Sequence, residues 1–514
     1  MEDGSYSSLH WIILFSFGSP RNLDSRLSLT AQDRQKTTYW LVSYPAIVIM
    51  PRICFKYFLV FFLTAFLIIF ALLFIIGPSE VLNDDFFYDD SNVESKQNPE
   101  EREKILRQKI TEPIILWWTP FTGDAGLYKT CGNVKCFFTN NRLYKDHNKT
   151  QAFLFYGTDF KPKDLPVPRQ THHDWGLLHE ESPKNNYLFS HREVMELFNY
   201  TSTFRRESSY PISTQYVDSI KWLEDKQYLL PIEEKNKFLA ELSPIIYTQS
   251  DCDVPSGRDQ YTKLLMQFIN IDSYGTCLHN KDLPQNLRDP IEGMEHDEFY
   301  KLNAKYKFSL AMENGLCPDY MTEKLWRPFH LGSVPIILGS PKVKDFLPSN
   351  HSAIVVDDYK TVEELANYIK FLNENDDEYV KYLDWKNTGV SNQYLKKIVE
   401  EREWHVDNNW EKQEINFIEG FQCYVCKKLH ENIDRKKNLK VQINFQATKD
   451  HYGCPGPVSF NGYGQRQDGG ASWDYDYDKS KYLAKAINRL VKSGKSFTGK
   501  DLHHLVKQIK DELR

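Results

Sequence analysis

Residues 313 to 326, ENGLCPDYMTEKLW, place Glu313, Asn314, Tyr320, Glu323 and Lys324 within twelve positions of one another. Asp319 or Thr322 can cap a helix that begins at Glu323. The free amides of such a helix start suit an anion such as a diphosphate, and Lys324 adds a positive charge beside them. Glu323 is able to bind ribose hydroxyls. An ordinary charged surface helix explains the same residues, so further groups are needed to decide between the two interpretations.

Two other segments supply such groups. In SPIIYTQSDCDVPSGRDQY (243–261), an apolar run is followed by Arg258, and an arginine can bind phosphate oxygens bidentately. In HHDWGLLHEESPKNNYLF (172–189), Glu180 and Glu181 precede Ser-Pro. A carboxylate facing a phosphate site can take a proton from an acceptor hydroxyl while cations stabilise a departing diphosphate. A sugar-nucleotide transferase needs this combination.

Short apolar strands that alternate with helical patterns must position these groups. The predicted strands are PIILWWTP, AFLFYG, YLLPI, SPIIYTQS, INIDSYG, YKFSLAM, VPIILG and SAIVVDD. RDQYTKLLMQFI and TVEELANYIKFLNEND have the apolar spacing of helices. This alternation predicts parallel sheets and the α/β class. The polar segment 313–326 then lies at the carboxyl end of a strand, where open α/β sheets bind ligands.

The pattern divides the chain into two Rossmann-like blocks with a cleft between them, 111–240 and 241–430. Residues 431–514 form a C-terminal extension that mixes Lys-rich, Gly-rich and Tyr/Asp-rich pieces. We expect this extension to be partly loose and to end in a helix.

A transmembrane helix is predicted for Tyr57 to Ile76, a run of 20 residues without a charge. Arg52 and Lys56 precede it and acidic residues follow it, so residues 1–56 are predicted to be cytoplasmic. Residues 77–110 are acidic and polar and are predicted to form a stem. The run is too long and starts too late for a cleaved signal peptide. A type II membrane protein with a lumenal catalytic part is therefore expected.

The cysteines agree with an oxidising lumen. Besides Cys54 at the membrane edge, eight lie beyond the predicted helix: Cys131, Cys136, Cys252, Cys277, Cys317, Cys423, Cys426 and Cys454. Eight cysteines allow 105 pairings, and a local Cys131–Cys136 bridge is plausible. The pair Cys423 and Cys426 is compatible with a redox pair or half a zinc site, but structural disulfides are favoured because no second CxxC or βαβ start accompanies it.

Three N-x-[ST] sequons, at Asn148, Asn199 and Asn350, also predict lumenal exposure. The net charge of −6, with 64 basic and 70 acidic residues, argues against a nucleic-acid-binding surface. No GxGxxG, P-loop, HExxH or GxSxG is present, so dehydrogenase, P-loop ATPase, zinc protease and serine hydrolase lose their usual support.

Several of these stretches together resemble the α1,3-fucosyltransferases, which use GDP-fucose. The resemblance covers about residues 111 to 430 and rests on YKFSLAMENGLCPDYMTEKLW with LGSVPIILG, and on FLFYGTDF, HEESP, LFNYTSTFRRES and IDSYG. The HHDW…HEESPKNN run and the long C-terminal region look most like the divergent fucosyltransferase 10/11 subgroup of this family, glycosyltransferase family 10. The resemblance implies a GT-B fold, two Rossmann-like domains facing a cleft, with inverting chemistry and no cofactor or active-site metal.

The resemblance also implies roles for single residues. Glu181 matches the general base, although the adjacent Glu180 is an alternative. The GDP-fucose contacts match Ser250, Arg258, Asn314, Tyr320, Glu323 and Lys324. Asp251 stands where many members have Asn, Ser309 where many have Tyr, and Pro328 interrupts a helix that usually continues. None of these departures removes a charge that the mechanism requires.

The acceptor and the compartment stay open at this stage. The family's typical product is fucose α1,3-linked to N-acetylglucosamine of an N-glycan or lactosamine chain, and a protein Ser or Thr hydroxyl is the other candidate. The C-terminal KDELR is an imperfect retrieval signal, so either the Golgi or the endoplasmic reticulum membrane is expected.

Two alternative functions remain. A metal-dependent GT-A transferase would use a D-x-D site, which Asp251-Cys252-Asp253 or the DYDYD run at 474–478 resembles. A non-catalytic, membrane-anchored glycan-binding protein is the second alternative, although every charged position of the inferred site is filled.

Overall fold

The structure, a computed structural model, describes residues 99–289, 293–406, 415–440, 443, 445–467 and 469–513. The predicted cytoplasmic segment 1–56 and the predicted transmembrane helix 57–76 lie outside these residues, as does most of the predicted stem. In the described part of the chain, no helix combines the length and the apolar character needed to cross a bilayer. The end of the predicted stem forms a short helix, Pro99–Leu106.

Thirteen strands and fourteen α-helices are found in the described ranges. The strands are β1 (Ile114–Thr119), β2 (Ala125–Cys131), β3 (Val134–Thr139), β4 (Thr150–Tyr156), β5 (Asp174–His179), β6 (Tyr200–Thr203), β7 (Ile245–Thr248), β8 (Ile271–Tyr274), β9 (Phe308–Met312), β10 (Val334–Leu338), β11 (Ile354–Val355), β12 (Ser459–Phe460) and β13 (Arg466–Gln467). The helices are α1 (Pro99–Leu106), α2 (Arg192–Met195), α3 (Ile220–Glu224), α4 (Ile232–Phe238), α5 (Arg258–Leu265), α6 (Asp297–Ala304), α7 (Glu323–Leu331), α8 (Val362–Glu374), α9 (Asp376–Val380), α10 (Trp385–Thr388), α11 (Gln393–Glu400), α12 (Phe417–Leu439), α13 (Asp474–Lys492) and α14 (Gly499–Glu512).

The first sheet has the order β2-β3-β1-β4-β5-β6. All its neighbours are parallel except the β2–β3 hairpin. The continuous apolar run of β1 is explained by burial on both faces. Leu116 and Trp118 pack into one core, whereas Ile115 and Trp117 point to the opposite core.

The second sheet has the order β11-β10-β9-β7-β8 and is parallel throughout. From β7 the chain proceeds to β8 on one side and then returns to β9 on the other. The sheet therefore has a topological switch point between β7 and β9, and the carboxyl ends of these two strands border a crevice. The predicted α/β class with parallel sheets is confirmed by this architecture.

The C-terminal part of the chain departs from expectation. Helix α12 packs through Phe421 and Val425 on one face of the first sheet, and α13 packs through Leu483 and Ile487 on the other. The predicted boundary at 430 is therefore wrong, because the chain has already returned to the first sheet by α12. In the described residues the extension is largely packed, since α13 contributes to a covering layer of that sheet, and the predicted final helix is present as α14.

Four disulfides join the eight cysteines, in the pairs Cys131–Cys423, Cys136–Cys426, Cys252–Cys277 and Cys317–Cys454. The predicted local bridge between Cys131 and Cys136 is wrong. Cys423 and Cys426 are three residues apart on α12, so both face the same side of the helix, and each is bonded to one cysteine of the β2–β3 hairpin. The favoured interpretation of this CxxC as structural is confirmed, and a redox pair or zinc site is not formed there.

One predicted strand is wrong as well. YLLPI does not form a strand but leads into α4, with Pro231 at the N-cap position. A proline lacks the amide hydrogen needed for a sheet ladder, whereas a helix start tolerates it.

Candidate active site

Three strand ends bring the predicted site residues together. Strand β5 ends directly before Glu180 and Glu181, β9 ends before Glu313, and β7 ends shortly before Ser250. The hydroxyl of Tyr320, on the loop after β9, donates to Oε2 of Glu181 at 3.3 Å. A side chain from the second sheet's loop therefore contacts the predicted base of the first sheet.

The backbones of the two loops also approach closely. A Cβ atom placed on Gly315 would lie 2.9 Å from Cβ of Ser182. Any side chain larger than hydrogen at residue 315 would push the loop after β9 away from the loop after β5. Glycine at this position thus permits the contact between Tyr320 and Glu181.

The start of α7 is anchored to the end of β9. The carboxylate of Glu313, which is buried, accepts from the amide of Thr322 at 2.7 Å and from its hydroxyl at 2.8 Å. Thr322 is the N-cap of α7, so the predicted cap is confirmed in its second alternative, and the helix ends before Gly332 as predicted. Pro328 lies within the helix, which continues to Leu331.

The first turn of α7 carries an ion pair. Nζ of Lys324 donates to Oε1 of Glu323 at 2.8 Å and to the hydroxyl of Thr322 at 3.2 Å. Although burial opposes the charged form, Lys324 and Arg327 lower the pKa of Glu323 to about 2. Burial also disfavours the charge on Lys324, but Glu323 and Glu313 overcome it and raise the pKa of this lysine. Both groups are therefore charged at any physiological pH.

The two carboxylates after β5 have different neighbours. Burial and the charge of Glu181 raise the pKa of Glu180 to about 7. Oε1 of Glu180 accepts from the hydroxyl of Tyr156 at 2.9 Å, which turns this side chain toward the first sheet. Burial also raises the pKa of Glu181, and Lys324 acts against that rise. Glu181 is thus the carboxylate that senses the charges of the second block.

Arg258 lies in a different environment from the one expected. It is 1% exposed, and its two terminal nitrogens donate to backbone carbonyls, Nη1 to Met312 at 3.1 Å and Nη2 to Asp251 at 2.6 Å. The fork predicted to bind phosphate bidentately therefore joins the ends of β7 and β9. As the first residue of α5, Arg258 is directed inward by the helix start.

The remaining predicted contacts lie around the same crevice. Asn314 is buried, and its Oδ1 has no hydrogen-bond partner among the described residues. Ser250 is exposed after β7, and its carbonyl accepts from the hydroxyl of Thr276 at 2.7 Å. Ser309, one of the departures from the family pattern, is buried and bonded to the hydroxyl of Ser333. Ser309 thus belongs to the strand packing of the second sheet.

The aspartates of the D-x-D segment are bonded to neighbouring residues. Asp251 forms an ion pair with Lys184, and Asp253 accepts from the hydroxyl of Ser472. Cys252, between them, is in a disulfide. These contacts explain the aspartate at 251, because its partner Lys184 comes from the loop after β5.

Sequence reasoning missed three groups of this region. The hydroxyl of Tyr452 donates to the carbonyl of Glu181 at 2.9 Å. The ring of Tyr216 is close enough to Glu181 and Glu323 that burial and these charges raise the pKa of its phenol well above the ordinary value. The side chain of Asp319 is fully buried and forms an ion pair with Arg206 at 2.7 Å.

Only one of these three had a signal in the sequence. Arg206 lies in the family-like stretch LFNYTSTFRRES, whose paired arginines had no assigned partner. Asp319, a possible cap from sequence, is instead used to hold the loop after β9 to the first block. Tyr216 and Tyr452 lie outside every motif, so no spacing rule could identify them.

The sequons differ in their accessibility. Asn148 and Asn350 are exposed on the folded surface. The side chain of Asn199 instead accepts from the amide of Trp175 and donates to the carbonyl of Phe445, both at 2.8 Å. The nitrogen to which a glycan would be attached is therefore already used as a donor inside the fold. The three sites stay predictions.

Family models match two parts of the chain. Residues 110–216 match "Fucosyltransferase, N-terminal", and residues 234–444 match "Glycosyltransferase family 10 (fucosyltransferase) C-term". The first range contains all six strands of the first sheet, and the second contains all five strands of the second sheet together with α12, which packs on the first.

Curated relatives are similar over most of their length. The GDP-fucose protein O-fucosyltransferase 3 of Gallus gallus is 46% identical over 398 residues, which cover 77% of this chain and 83% of the relative. The human protein of the same name is 46% identical over 399 residues, with 77% and 82% covered. That of Danio rerio is 45% identical over 391 residues, with 76% and 84% covered.

The likeness to solved structures is weak. An α1,3-fucosyltransferase solved with GDP is 17% identical, with a TM-score of 0.36, covering 63% of this chain and 92% of the other. The same type of enzyme with GDP-fucose is 15% identical, with a TM-score of 0.36 and coverage of 63% and 94%. From the family models and the curated relatives together, the chain belongs to glycosyltransferase family 10, the fucosyltransferases, and is a glycosyltransferase enzyme.

Proposed function

We propose that this enzyme transfers fucose from GDP-fucose to a Ser or Thr hydroxyl of a protein, with inversion at the sugar carbon and without a metal or other cofactor. One observation carries the proposal: the half-buried carboxylate of Glu181, after the first sheet, accepts from Tyr320 of the second block and lies close enough to the Lys324–Glu323 pair to be affected by both charges. The relatives named GDP-fucose protein O-fucosyltransferase 3 support the donor and the type of acceptor.

Glu181 acts as the general base in this reaction. Its carboxylate accepts the proton of the acceptor hydroxyl while that oxygen forms a bond to the anomeric carbon of fucose. The bond from that carbon to the diphosphate breaks, and GDP leaves with the electron pair. Burial raises the pKa of Glu181, so the carboxylate is a stronger proton acceptor than an exposed glutamate. Glu180 is the poorer candidate because it is bonded to Tyr156 on the first-sheet side.

The second block stabilises the departing GDP. Lys324, whose side chain is 17% exposed, can reach a diphosphate at the start of α7, where the helix amides also favour an anion. Arg258 adds positive charge behind Lys324 and holds the ends of β7 and β9 together rather than binding phosphate with its terminal nitrogens. Glu323, ionised at working pH, binds the ribose. The open acceptor on Asn314 and the exposed Ser250 complete the donor site.

The α1,3-linkage to N-acetylglucosamine remains the second candidate for the acceptor, because the same base and leaving-group chemistry serves a sugar hydroxyl. The metal-dependent GT-A alternative is disfavoured by the contacts of the D-x-D aspartates with Lys184 and Ser472. A non-catalytic glycan-binding role would not explain why a half-buried carboxylate with a raised pKa lies close to the Lys324–Glu323 pair.

We further propose a single-pass type II anchor at residues 57–76 and a lumenal location in the Golgi or endoplasmic reticulum membrane. Four disulfides and the exposed sequons at Asn148 and Asn350 support this placement. The partners are then GDP-fucose and a secretory protein or its glycan, and no nucleic acid.

The full chain, solubilised in detergent, tests the proposal. It is incubated with GDP-fucose and either folded secreted domains or free N-glycans ending in N-acetylglucosamine, and the products are analysed by mass spectrometry. We expect fucose on a Ser or Thr side chain, at an unchanged rate when a chelator is present. If fucose is found only on glycans, the acceptor is N-acetylglucosamine and not a protein hydroxyl. If activity is lost in chelator, the metal-dependent GT-A alternative is supported.

A further inference from the structure

The segment between α12 and α13, residues 445–473, is called here the connecting segment; residue 468 is outside the described part of it. It contacts both blocks of the enzyme. On the first block, the amide of Ala447 donates to the carbonyl of Phe198 at 2.8 Å, and Nε of Arg205 donates to the carbonyl of Asp450 at 2.9 Å. The segment is thus held along β6 and the loop that follows it.

Further along, the connecting segment reaches the second block. The amide of Val458 donates to the carbonyl of Pro255 at 2.8 Å. The backbone of Phe460 exchanges two hydrogen bonds with the side-chain amide of Gln260, at 2.7 and 3.0 Å. Between these two attachments, the chain passes directly beside the proposed general base.

Tyr452 makes the contact with the base. The residue is fully buried, and its hydroxyl donates to the backbone carbonyl of Glu181 at 2.9 Å. Its ring stacks on that of His179 with centroids 5.4 Å apart and packs against Phe204 at 5.2 Å. The hydrogen bond fixes the peptide from which the Glu181 side chain projects, and the aromatic contacts fix the tyrosine.

A disulfide connects this contact with the donor side. Cys454, two residues after Tyr452, is bonded to Cys317, three residues before Tyr320. Tyr320 holds the carboxylate of Glu181 and Tyr452 holds its backbone. The Cys317–Cys454 disulfide therefore links the segments that carry the two tyrosines. These linked segments hold both the carboxylate and the backbone carbonyl of Glu181.

We infer that Tyr452 is a positioning residue for Glu181, and that the Cys317–Cys454 disulfide keeps this base in register with the donor loop. The inference rests on the proposed function. A base must be held close to its productive geometry, because a misplacement of about 1 Å can cost roughly a hundredfold in rate. The connecting segment thus forms part of the catalytic unit, although it lies outside the residues that carry the family motifs.

The test is the Tyr452→Phe variant of the full chain, with Tyr379→Phe as a matched control. Tyr379 is equally buried and its hydroxyl also donates to a backbone carbonyl, that of Lys307 at 2.8 Å, in the second block. We expect Tyr452→Phe to lower kcat for fucose transfer about tenfold with KM for GDP-fucose changed less than about twofold, because only the base is displaced. Tyr379→Phe should leave kcat unchanged while both variants lose similar thermal stability.

A second pair of variants tests the covalent link. Cys317→Ala/Cys454→Ala removes it, and Cys136→Ala/Cys426→Ala removes a disulfide that joins β3 to α12. We expect the first double variant to lower kcat and the second to lower only the melting temperature. If Tyr452→Phe has the kcat of Tyr379→Phe, or if the two double variants have equal kcat, the inference is overturned.

Failure of the inference can be told apart from failure of the proposed function. If the wild-type protein does not transfer fucose from GDP-fucose, or if Glu181→Gln retains full activity, the proposed function fails and the inference falls with it. If the wild type is active and Glu181→Gln is inactive but Tyr452→Phe behaves as its control, only the positioning role is lost.

Discussion

The end of β5 and the start of α7 each carry a half-buried glutamate, Glu180 and Glu323, yet the pKa values of the two are shifted in opposite directions. The pKa of Glu180 is raised to about 7, whereas that of Glu323 is lowered to about 2. Burial acts in the same direction on both carboxyl groups. The nearest charges differ: Glu180 faces Glu181, and Glu323 faces Lys324.

This difference shows that carboxylates near the carboxyl ends of parallel strands can have two different roles in the same enzyme. Carboxyl ends of parallel strands collect polar groups in both sheets. Glu180, with burial and the charge of Glu181 acting on it, holds its proton more tightly than an exposed glutamate. With Lys324 beside it, Glu323 stays charged and acts only as a hydrogen-bond acceptor. Since burial raises the pKa of both groups, the neighbouring charges make the difference between them.

Removing the base should have the largest effect. We expect Glu181→Gln to lower kcat by about a thousandfold, within the range for general base catalysis, because the amide cannot accept the proton. The affinity for GDP, measured by calorimetry, should be retained. The same change should lower the pKa of Glu180, since the charge of Glu181 helps to raise it. Full activity in Glu181→Gln would contradict the assignment of Glu181 as the general base.

Removing the cation should have the next largest effect. Lys324→Ala is expected to lower kcat/KM by roughly a hundredfold, the typical loss for one group that stabilises developing charge. Lys324→Arg keeps the positive charge and serves as the matched control, with a smaller loss. Steady-state rates with GDP-fucose distinguish the two variants. Equal rates for both would mean that the positive charge at this position is not what the reaction requires.

The raised pKa of Glu180 predicts a dependence of stability on pH. The folded state binds this proton more tightly than the unfolded state, so the stabilisation is full below the unfolded pKa and is lost as pH rises through about 7. Relative to Glu180→Gln, the wild type should lose about 2 kcal/mol of stability between pH 4 and 8, allowing for screening of a half-buried group. Denaturant unfolding at both pH values measures the difference. Glu233→Gln, at an exposed position of α4, is the control for a Glu-to-Gln change elsewhere on the protein.

A smaller effect is expected on the donor side. Glu323→Gln should raise KM for GDP-fucose about tenfold, the loss expected for one hydrogen bond to a charged acceptor, with kcat nearly unchanged. Glu363→Gln, in the first turn of α8, is the control for a charge change at a helix start. A fall in kcat with unchanged KM would place Glu323 in the chemical step instead.

Local patterns in the sequence predicted a substantial part of the fold. The apolar runs that form β1, β4, β7, β8, β9 and β10 were located correctly. Their side chains are buried in the sheet whichever strands lie beside them, so the sequence alone shows the pattern. The cap at Thr322 and the stop at Gly332 were also predicted, since both follow from the backbone needs of a helix end. YLLPI failed because apolar content alone does not distinguish a strand from the approach to a helix.

The candidate site was predicted less evenly. Its charged residues were identified as a group because motifs place them after strands. The direction in which each side chain points could not be predicted. The terminal nitrogens of Arg258 bond backbone carbonyls, which no motif indicated, and its predicted contact with phosphate stays a prediction. The cysteine pairs could not be predicted from the sequence, because three of the four bridges join residues at least 137 positions apart.

The sequence by itself determined the class of the fold, the ends of the helix at 323–331 and the set of charged groups available for catalysis. These depend on interactions within a few residues of the chain. Tertiary structure alone decided that α12 and α13 cover the first sheet, that Tyr452 and Tyr320 hold Glu181 from two sides, and which carboxylate lies beside a cation. The acidity of a buried group depends on charges a few ångströms away, and only folding brings those charges together from distant parts of the chain.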